Sequence, residues 1–288
     1  MGRRADAVQG EGLPIVVHKD SFTRGALAYA VPEKGANEYA IKRGTQDINK
    51  IMGYKKAIFK GDQEPALGAM MDRIAALSGD QIIREESPVG ESQSNGDVEN
   101  AIQRIQGQYR TLRSNLEAMY EKKVEPEHPA LTWMVRYASL LVFWFEKGTD
   151  GRTPYRRLKG KEFNRKLANF GECIWYLKPK SKGINKATSR WACGIYLGIR
   201  EESGEYIVGT DGGVLKCRAI RARGAKRDSW NWEEFVKMKG VPWEPIPGRP
   251  NIEIKTRIVD GSEQDPVPRI NVGEDNQHSQ IANSNHQS

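Results

Sequence analysis

Ser87–Asn100 runs SPVGESQSNGDVEN and joins a turn-rich segment to a periodic one. Serine, proline, glycine and asparagine crowd its first ten residues and favour turns over regular structure. From Asp97 to about Lys122 the pattern changes. Val98, Ile102, Ile105, Tyr109, Leu112, Leu116 and Met119 recur every three or four places, which lays them along one stripe of a helix and predicts that the stripe is buried. A loop is expected to deliver the chain into a long amphipathic helix, with Glu99 in its first turn.

Toward the N terminus, Pro14–Asp20 (PIVVHKD) and Gly25–Val31 (GALAYAV) read as strands joined by a hairpin connection. Asn37 can cap a helix that runs to about Met52, where Gly53 ends it. Lys56–Lys60 (KAIFK) is a strand, a helix runs from about Pro65 to Leu77, and Gln81–Arg84 is another short strand. After the long helix, Ala130–Phe145 is apolar nearly all round and should be central to packing. The order β-β-α-β-α-β-α-α predicts a mixed α/β sheet with helices on both faces.

Beyond Gly148-Thr-Asp-Gly the pattern is all strand: Gly171–Lys178, Trp191–Ile199, Glu205–Gly209 and Val214–Ile220, with a tight turn at Asp211-Gly-Gly. A small β-barrel is expected. From about Val259 the chain is rich in Asn, Gln, Ser and acid, and disorder is expected. The sequence thus divides into residues 1–147, 148–258 and 259–288.

Charge is unevenly spread. The whole chain carries +8, yet Arg152–Arg227 holds 19 Lys or Arg against 6 Asp or Glu, a local balance of +13. Such a segment suits an anionic partner, nucleic acid before membrane surface. No secretory signal opens the sequence, and its longest apolar run, Ala138–Phe145, is far short of the roughly 20 residues a membrane span needs. No membrane association is expected. Cys173, Cys193 and Cys217 are odd in number and lack CxxC spacing. They fit reduced, buried thiols of an intracellular protein, and no zinc site is expected.

Two carboxylates stand out by position. Asp62 directly follows an apolar strand, at the edge where open α/β sheets place ligands. Glu99 opens the long helix, and 36 residues separate the two. Acids that converge need a cation, and hard oxygen ligands select Mg²⁺ or Mn²⁺. The plainer alternative is a turn residue and a glutamate favoured by the helix N terminus. Gln103, Gln106, Arg110 and Arg113 follow Glu99 by four, seven, eleven and fourteen places, so they share its face, which could carry a phosphodiester backbone.

These residues carry a resemblance. Asn95-Gly-Asp-Val-Glu99 resembles the Asn-Gly-x-x-Glu motif around the third carboxylate of integrases from copia-type retrotransposon and retroviral Pol polyproteins. Lys60-Gly-Asp-Gln-Glu-Pro resembles their second-carboxylate motif, with a spacing close to that of the D,D-E signature. Asp150-Gly-Arg-Thr-Pro-Tyr, Phe170-Gly-Glu-Cys-Ile-Trp-Tyr and Trp191-Ala-Cys-Gly-Ile-Tyr-Leu-Gly resemble segments that follow the family's core. The likeness covers about Leu13–Trp243. It implies an RNase-H-like core, then an SH3-like barrel, with Asp62 and Glu99 as metal ligands. It also implies that Gln103 and Gln106 touch a DNA end and that two-metal phosphoryl transfer cuts and joins strands.

The family's first aspartate lies in a strand before the segment matched by Leu13-Pro-Ile-Val-Val. Here only Met1–Gly12 precedes it, with Asp6 as its sole aspartate. The expectation is therefore an N-terminally truncated core with two of the three acids. The alternatives are a catalytically dead, element-derived binding protein and an RNase-H-type nuclease. Strand joining holds two DNA ends together, so a nuclear homo-oligomer is expected.

In the basic segment, Arg156, Arg157, Lys159, Lys161, Lys178, Lys180, Lys182, Lys186 and Arg190 are the candidate DNA contacts, through phosphate neutralisation. Trp175 and Trp191 interleave with them. They are read as barrel core, against the alternative that they stack on bases.

Overall fold

The computed structural model describes residues 13–61, 64–79, 81–86, 92–179, 189–249 and 253–258. The tail expected to be disordered, and Asp6, lie outside them. The hairpin forms as expected: β1 (Ile15–Lys19) pairs antiparallel with β2 (Ala26–Ala30), Ile15 opposite Ala30 and Lys19 opposite Ala26. Asp20 closes its connection by accepting the Thr23 N–H at 2.9 Å, the local bond for which aspartate is favoured in turns.

Helix α1 (Glu38–Gln46) starts where Asn37 Oδ1 accepts the Ala40 N–H at 2.8 Å. The expected single helix to Met52 is instead two pieces, because Asp47–Met52 is wound as a π-helix that ends at Gly53, φ 75°. The wider turn begins at Asp47, whose buried carboxylate is held by Arg136. Strand β3 (Ala57–Gly61), helix α2 (Pro65–Ser78) and β4 (Ile82–Glu86) follow, with β3 and β4 parallel and Gly61 beside Glu86.

The expected single mixed sheet is absent among the described residues: the hairpin and the parallel pair are separate two-stranded ribbons. β1 and β3 meet through side chains, the His18 ring edge-on to Phe59 with centroids 5.8 Å apart, and no backbone ladder joins them. Helix α3 (Ser92–Tyr120) begins five residues before the expected Asp97. Each of its two interior glycines, Gly96 and Gly107, costs about 1 kcal/mol, which a 29-residue helix absorbs. Its buried stripe is Ala101, Ile105, Leu116 and Tyr120, with Tyr109 and Leu112 half-buried beside them.

Helix α4 (Pro129–Phe145) is buried on almost every side, as its composition requires. One face packs on the alanines of β2 and on α3, where Ala28, Ala30, Ile105, Val135 and Ala138 share a cluster. Another face supplies Leu131, Met134 and Tyr137 to a larger core shared with Cys173, Ile195, Tyr196 and Phe235. The change of pattern at residue 148 is thus a change from helix to sheet, and one core runs through both.

After α5 (Pro154–Lys159), the strands β5 (Cys173–Leu177), β6 (Trp191–Ile199), β7 (Tyr206–Thr210), β8 (Gly213–Cys217) and β9 (Ile220–Ala222) form one antiparallel sheet in the order β8-β7-β6-β5-β9. The expected barrel is not closed among the described residues: β8 and β9 are edges there and no ladder joins them. The outer edge of β8 is met by the following chain instead. Its Val214 and Lys216 N–H groups donate to the carbonyls of Pro245 and Lys255 at 2.7 and 2.9 Å, which satisfies donors that closure would otherwise have to pair. Short helices α6 (Lys226–Ser229) and α7 (Trp232–Val236) complete the described helices.

Candidate nucleic-acid interface

Helix α3 presents the sequence-derived stripe much as its spacing requires. Glu99, Gln103, Gln106 and Arg110 are exposed, and over eleven places they span about 16 Å of helix at 1.5 Å per residue. None of the four side chains has a hydrogen bond or ion pair among the described residues, so their polar ends face solvent. Because α3 starts at Ser92, Glu99 lies about two turns inside it. The pull of a helix N terminus fades within the first turn, so it does not explain a glutamate there.

Arg113, the fifth member of that stripe, is engaged elsewhere. Its Nε donates to Glu117 at 3.1 Å and its Nη2 to the Val124 carbonyl at 2.9 Å. Glu117 also receives Lys123, and the Lys123 and Val124 donors together with Arg113 hold its carboxyl down to about 2. Arg113 therefore fastens the turn after α3 and is not free for a phosphate.

Beside the stripe lies an open groove of about 750 Å³. Lys19 and Arg24 enter it from the hairpin, Asn100, Gln103 and Arg104 from α3, and Lys147 from the loop after α4. Sequence spacing found only Gln103 of these. Nothing in the local pattern signals that the hairpin connection and α3 line one groove. Arg24 sits at φ 59°, a left-handed conformation unusual for a side-chain-bearing residue. Burial lowers the pKa of Lys19, with Arg104 adding to the effect.

Asp62 lies outside the described residues, as do Lys180, Lys182 and Lys186. Its neighbour Gly61 ends β3 beside Glu86, the end of the parallel β4. Among the described residues no three His, Cys, Asp or Glu side chains gather closely enough to hold a metal ion. Two carboxylates on their own are a hard-oxygen donor set of the kind Mg²⁺ or Mn²⁺ takes.

The basic residues after α4 divide by task. Arg157 donates to the Thr23 carbonyl at 2.8 Å and pairs with Asp150, so it is a strut beneath the hairpin connection. Lys159 donates to the Ile51 carbonyl at 3.1 Å and Arg156 pairs with Glu162 at 3.0 Å. Lys161 and Arg190 are exposed and Lys178 is half-buried, all three without such partners among the described residues.

The two tryptophans expected in the core are on the other side of the sheet. Ile174 and Tyr176 are buried, and strand alternation turns Trp175 between them outward, 37% exposed. Trp191, opposite Leu177 in the register, shares that outer face and is half-buried. Arg223 lies over the Trp175 ring at 5.1 Å and Arg221 over the Trp191 ring at 4.3 Å. Opposite Trp175 on the same face, burial and a hydrogen bond to Glu234 push the Cys193 thiol up to about 12. All three cysteines are free thiols, and Cys173 and Cys217 are buried.

No family model matches the chain and no curated protein matches it. Among solved structures it is similar to the catalytic core domain of BIV integrase, at 17% identity and a TM-score of 0.36 over 50% of this chain and 84% of that one. It is also similar to a chain of the simian T-cell lymphotropic virus intasome in complex with PP2A regulatory subunit B56 gamma, at 13% identity and a TM-score of 0.38 over 72% of this chain and 71% of that one. Neither likeness assigns a role to a residue. No described helix is long and apolar enough to cross a membrane.

Proposed function

We propose that this chain is an integrase-type DNA-binding protein whose α3 stripe and neighbouring groove track a phosphodiester backbone past Glu99. The observation that carries the reading is that stripe: an acid, two amides and an arginine in line, exposed, and without partners among the described residues. Lys19, Arg24 and Lys147 in the groove supply the sequence-independent, salt-sensitive part of the affinity. The resemblance of Lys60–Pro65 and Asn95–Glu99 to the family's carboxylate motifs assigns Asp62 and Glu99 as ligands of Mg²⁺ or Mn²⁺. The bound metal would supply charge stabilisation for in-line phosphoryl transfer in 3′-end cleavage and strand joining. Gln103 and Gln106 would position the DNA end, and a homo-oligomer in the nucleus would hold two such ends together.

β1 and β3 each pair on one side only among the described residues, which leaves an edge on each where a further strand could pair. A binding protein without catalysis is the second reading. A strand-transfer assay in Mg²⁺ with the intact chain, Asp62→Asn and Glu99→Gln separates them. The leading reading expects joined products from the intact chain alone. DNA binding without products from any of the three supports the second reading. Cleavage confined to the RNA strand of a hybrid would indicate an RNase-H-type nuclease, and activity that survives both substitutions overturns the metal assignment.

A further inference from the structure

The outer face of β5, β6 and β9 carries an arrangement that the α3 stripe and its groove do not use. Register places Trp175 directly opposite Arg221 and Leu177 opposite Trp191. Cross-strand partners share a face, so Trp175, Arg221 and Trp191 lie side by side on one surface. Each indole has a guanidinium over one ring face, Arg221 on Trp191 and Arg223 on Trp175. Arg223 is also tied to Glu234 at 2.6 Å. Arg221 is exposed and has no carboxylate partner among the described residues. An indole wedged by an arginine is held in orientation while its remaining surface stays open to solvent.

Cations outnumber acids around this surface, where Glu234 is taken up by Arg223. α6 packs against β5 and carries Lys226 and Arg227, with Asp228, in the exposed class. An acidic peptide would satisfy the cations and leave the indoles unused. An apolar partner would strand the cations. Unpaired nucleotides satisfy both, because phosphates neutralise Lys and Arg while bases stack on indole and guanidinium planes.

We propose that the Trp175–Arg221–Trp191 surface binds single-stranded nucleic acid by base stacking, separately from the duplex contacts assigned to α3. This rests on the reading of the chain as a nucleic-acid-binding protein. The ligand class is an unpaired polynucleotide, such as a frayed or processed DNA end.

The test is anisotropy titration of the full chain with a labelled oligo-dT of about 12 nucleotides, an abasic oligomer of the same length, and a duplex. The intact chain should bind the abasic oligomer about tenfold more weakly than oligo-dT, since one stacked base contributes about that factor or more. Trp175→Ala should lose about the same factor toward oligo-dT and keep its duplex affinity within twofold. Arg221→Gln should weaken oligo-dT and abasic binding alike. Equal affinity of the intact chain for oligo-dT and the abasic oligomer overturns the proposal, even if Trp175→Ala fails to fold. An unchanged oligo-dT affinity in a folded Trp175→Ala does the same. Loss of duplex binding by the intact chain would instead contradict the α3 reading.

Discussion

At the scale of single residues, the strongest constraint is an acid that spacing in the sequence does not single out. Asp47 is fully buried and receives both Nη groups of Arg136 at 2.7 and 2.9 Å, and Arg136 and Arg43 both reach Glu201. Burial opposes the charge on Asp47, and the two arginines overcome it, so its pKa is lowered. Asp47→Asn leaves Arg136 buried beside a neutral partner and should cost about 3–5 kcal/mol in urea unfolding. A cost near that of an ordinary surface substitution would contradict the geometry.

His18 sets a different window. Tyr29 gives its hydroxyl proton to the Ala40 carbonyl at 3.1 Å, so His18 Nε2 is the donor in their 3.3 Å contact and Nδ1 is a buried lone pair with no partner. Burial lowers its pKa from 6.5, against the pull of Asp47, and burial lowers that of His128 as well. A depressed histidine leaves the unfolded state binding more protons in acid. Stability is then complete above pH 6.5 and declines as pH falls below it, with a second loss below 4.5 as Glu117, Glu202 and then Asp47 protonate. His18→Leu should remove about half of the first slope and leave the second in place; urea midpoints between pH 8 and 3 check both parts.

At the scale of elements, the sequence made the order of helices and strands legible because their periodicities are strong, and it failed where tertiary contacts decide. Asn95 and Gly96 look like punctuation, yet α3 runs through them. Trp175 and Trp191 were expected inside for their size, whereas alternation with Ile174 and Tyr176 turns them out. Asp47 and Arg136 are 89 residues apart, so no local pattern pairs them. The α3 stripe was legible as far as Arg110, and Arg113 is lost from it to Glu117, one turn on in the same helix, and to the Val124 carbonyl beyond the helix. Glycines show the same division. A Cβ at Gly107, inside α3, meets nothing within 4 Å, so Gly107→Ala should stabilise by about 0.5–1 kcal/mol. At Gly213, φ +133°, a Cβ would lie 2.6 Å from the Pro245 carbonyl oxygen, and Gly213→Ala should destabilise by about 1–3 kcal/mol or more. Thermal midpoints that move in the same direction for both would contradict these placements.

At the scale of the molecule, residues from β2, α3, α4, β5 to β8 and α7 share one apolar core, and the Arg43–Asp47–Arg136–Glu201 network fastens α1 and α4 to the turn between β6 and β7. Far-ultraviolet circular dichroism and tryptophan fluorescence should therefore report one coincident unfolding transition, and two separated transitions would contradict a shared core. On the outside of that core, the chain's nucleic-acid chemistry depends on a phosphate backbone lying along α3 on the side of Glu99. Disulfide trapping with a thiol-tethered DNA duplex measures this directly, comparing Gln106→Cys on the stripe with Asn115→Cys, an exposed position on the opposite side of the same helix. Gln106→Cys should cross-link rapidly and in a salt-sensitive way, and Asn115→Cys little. Equal yields at the two positions, or a higher yield at Asn115→Cys, would contradict that placement of the backbone.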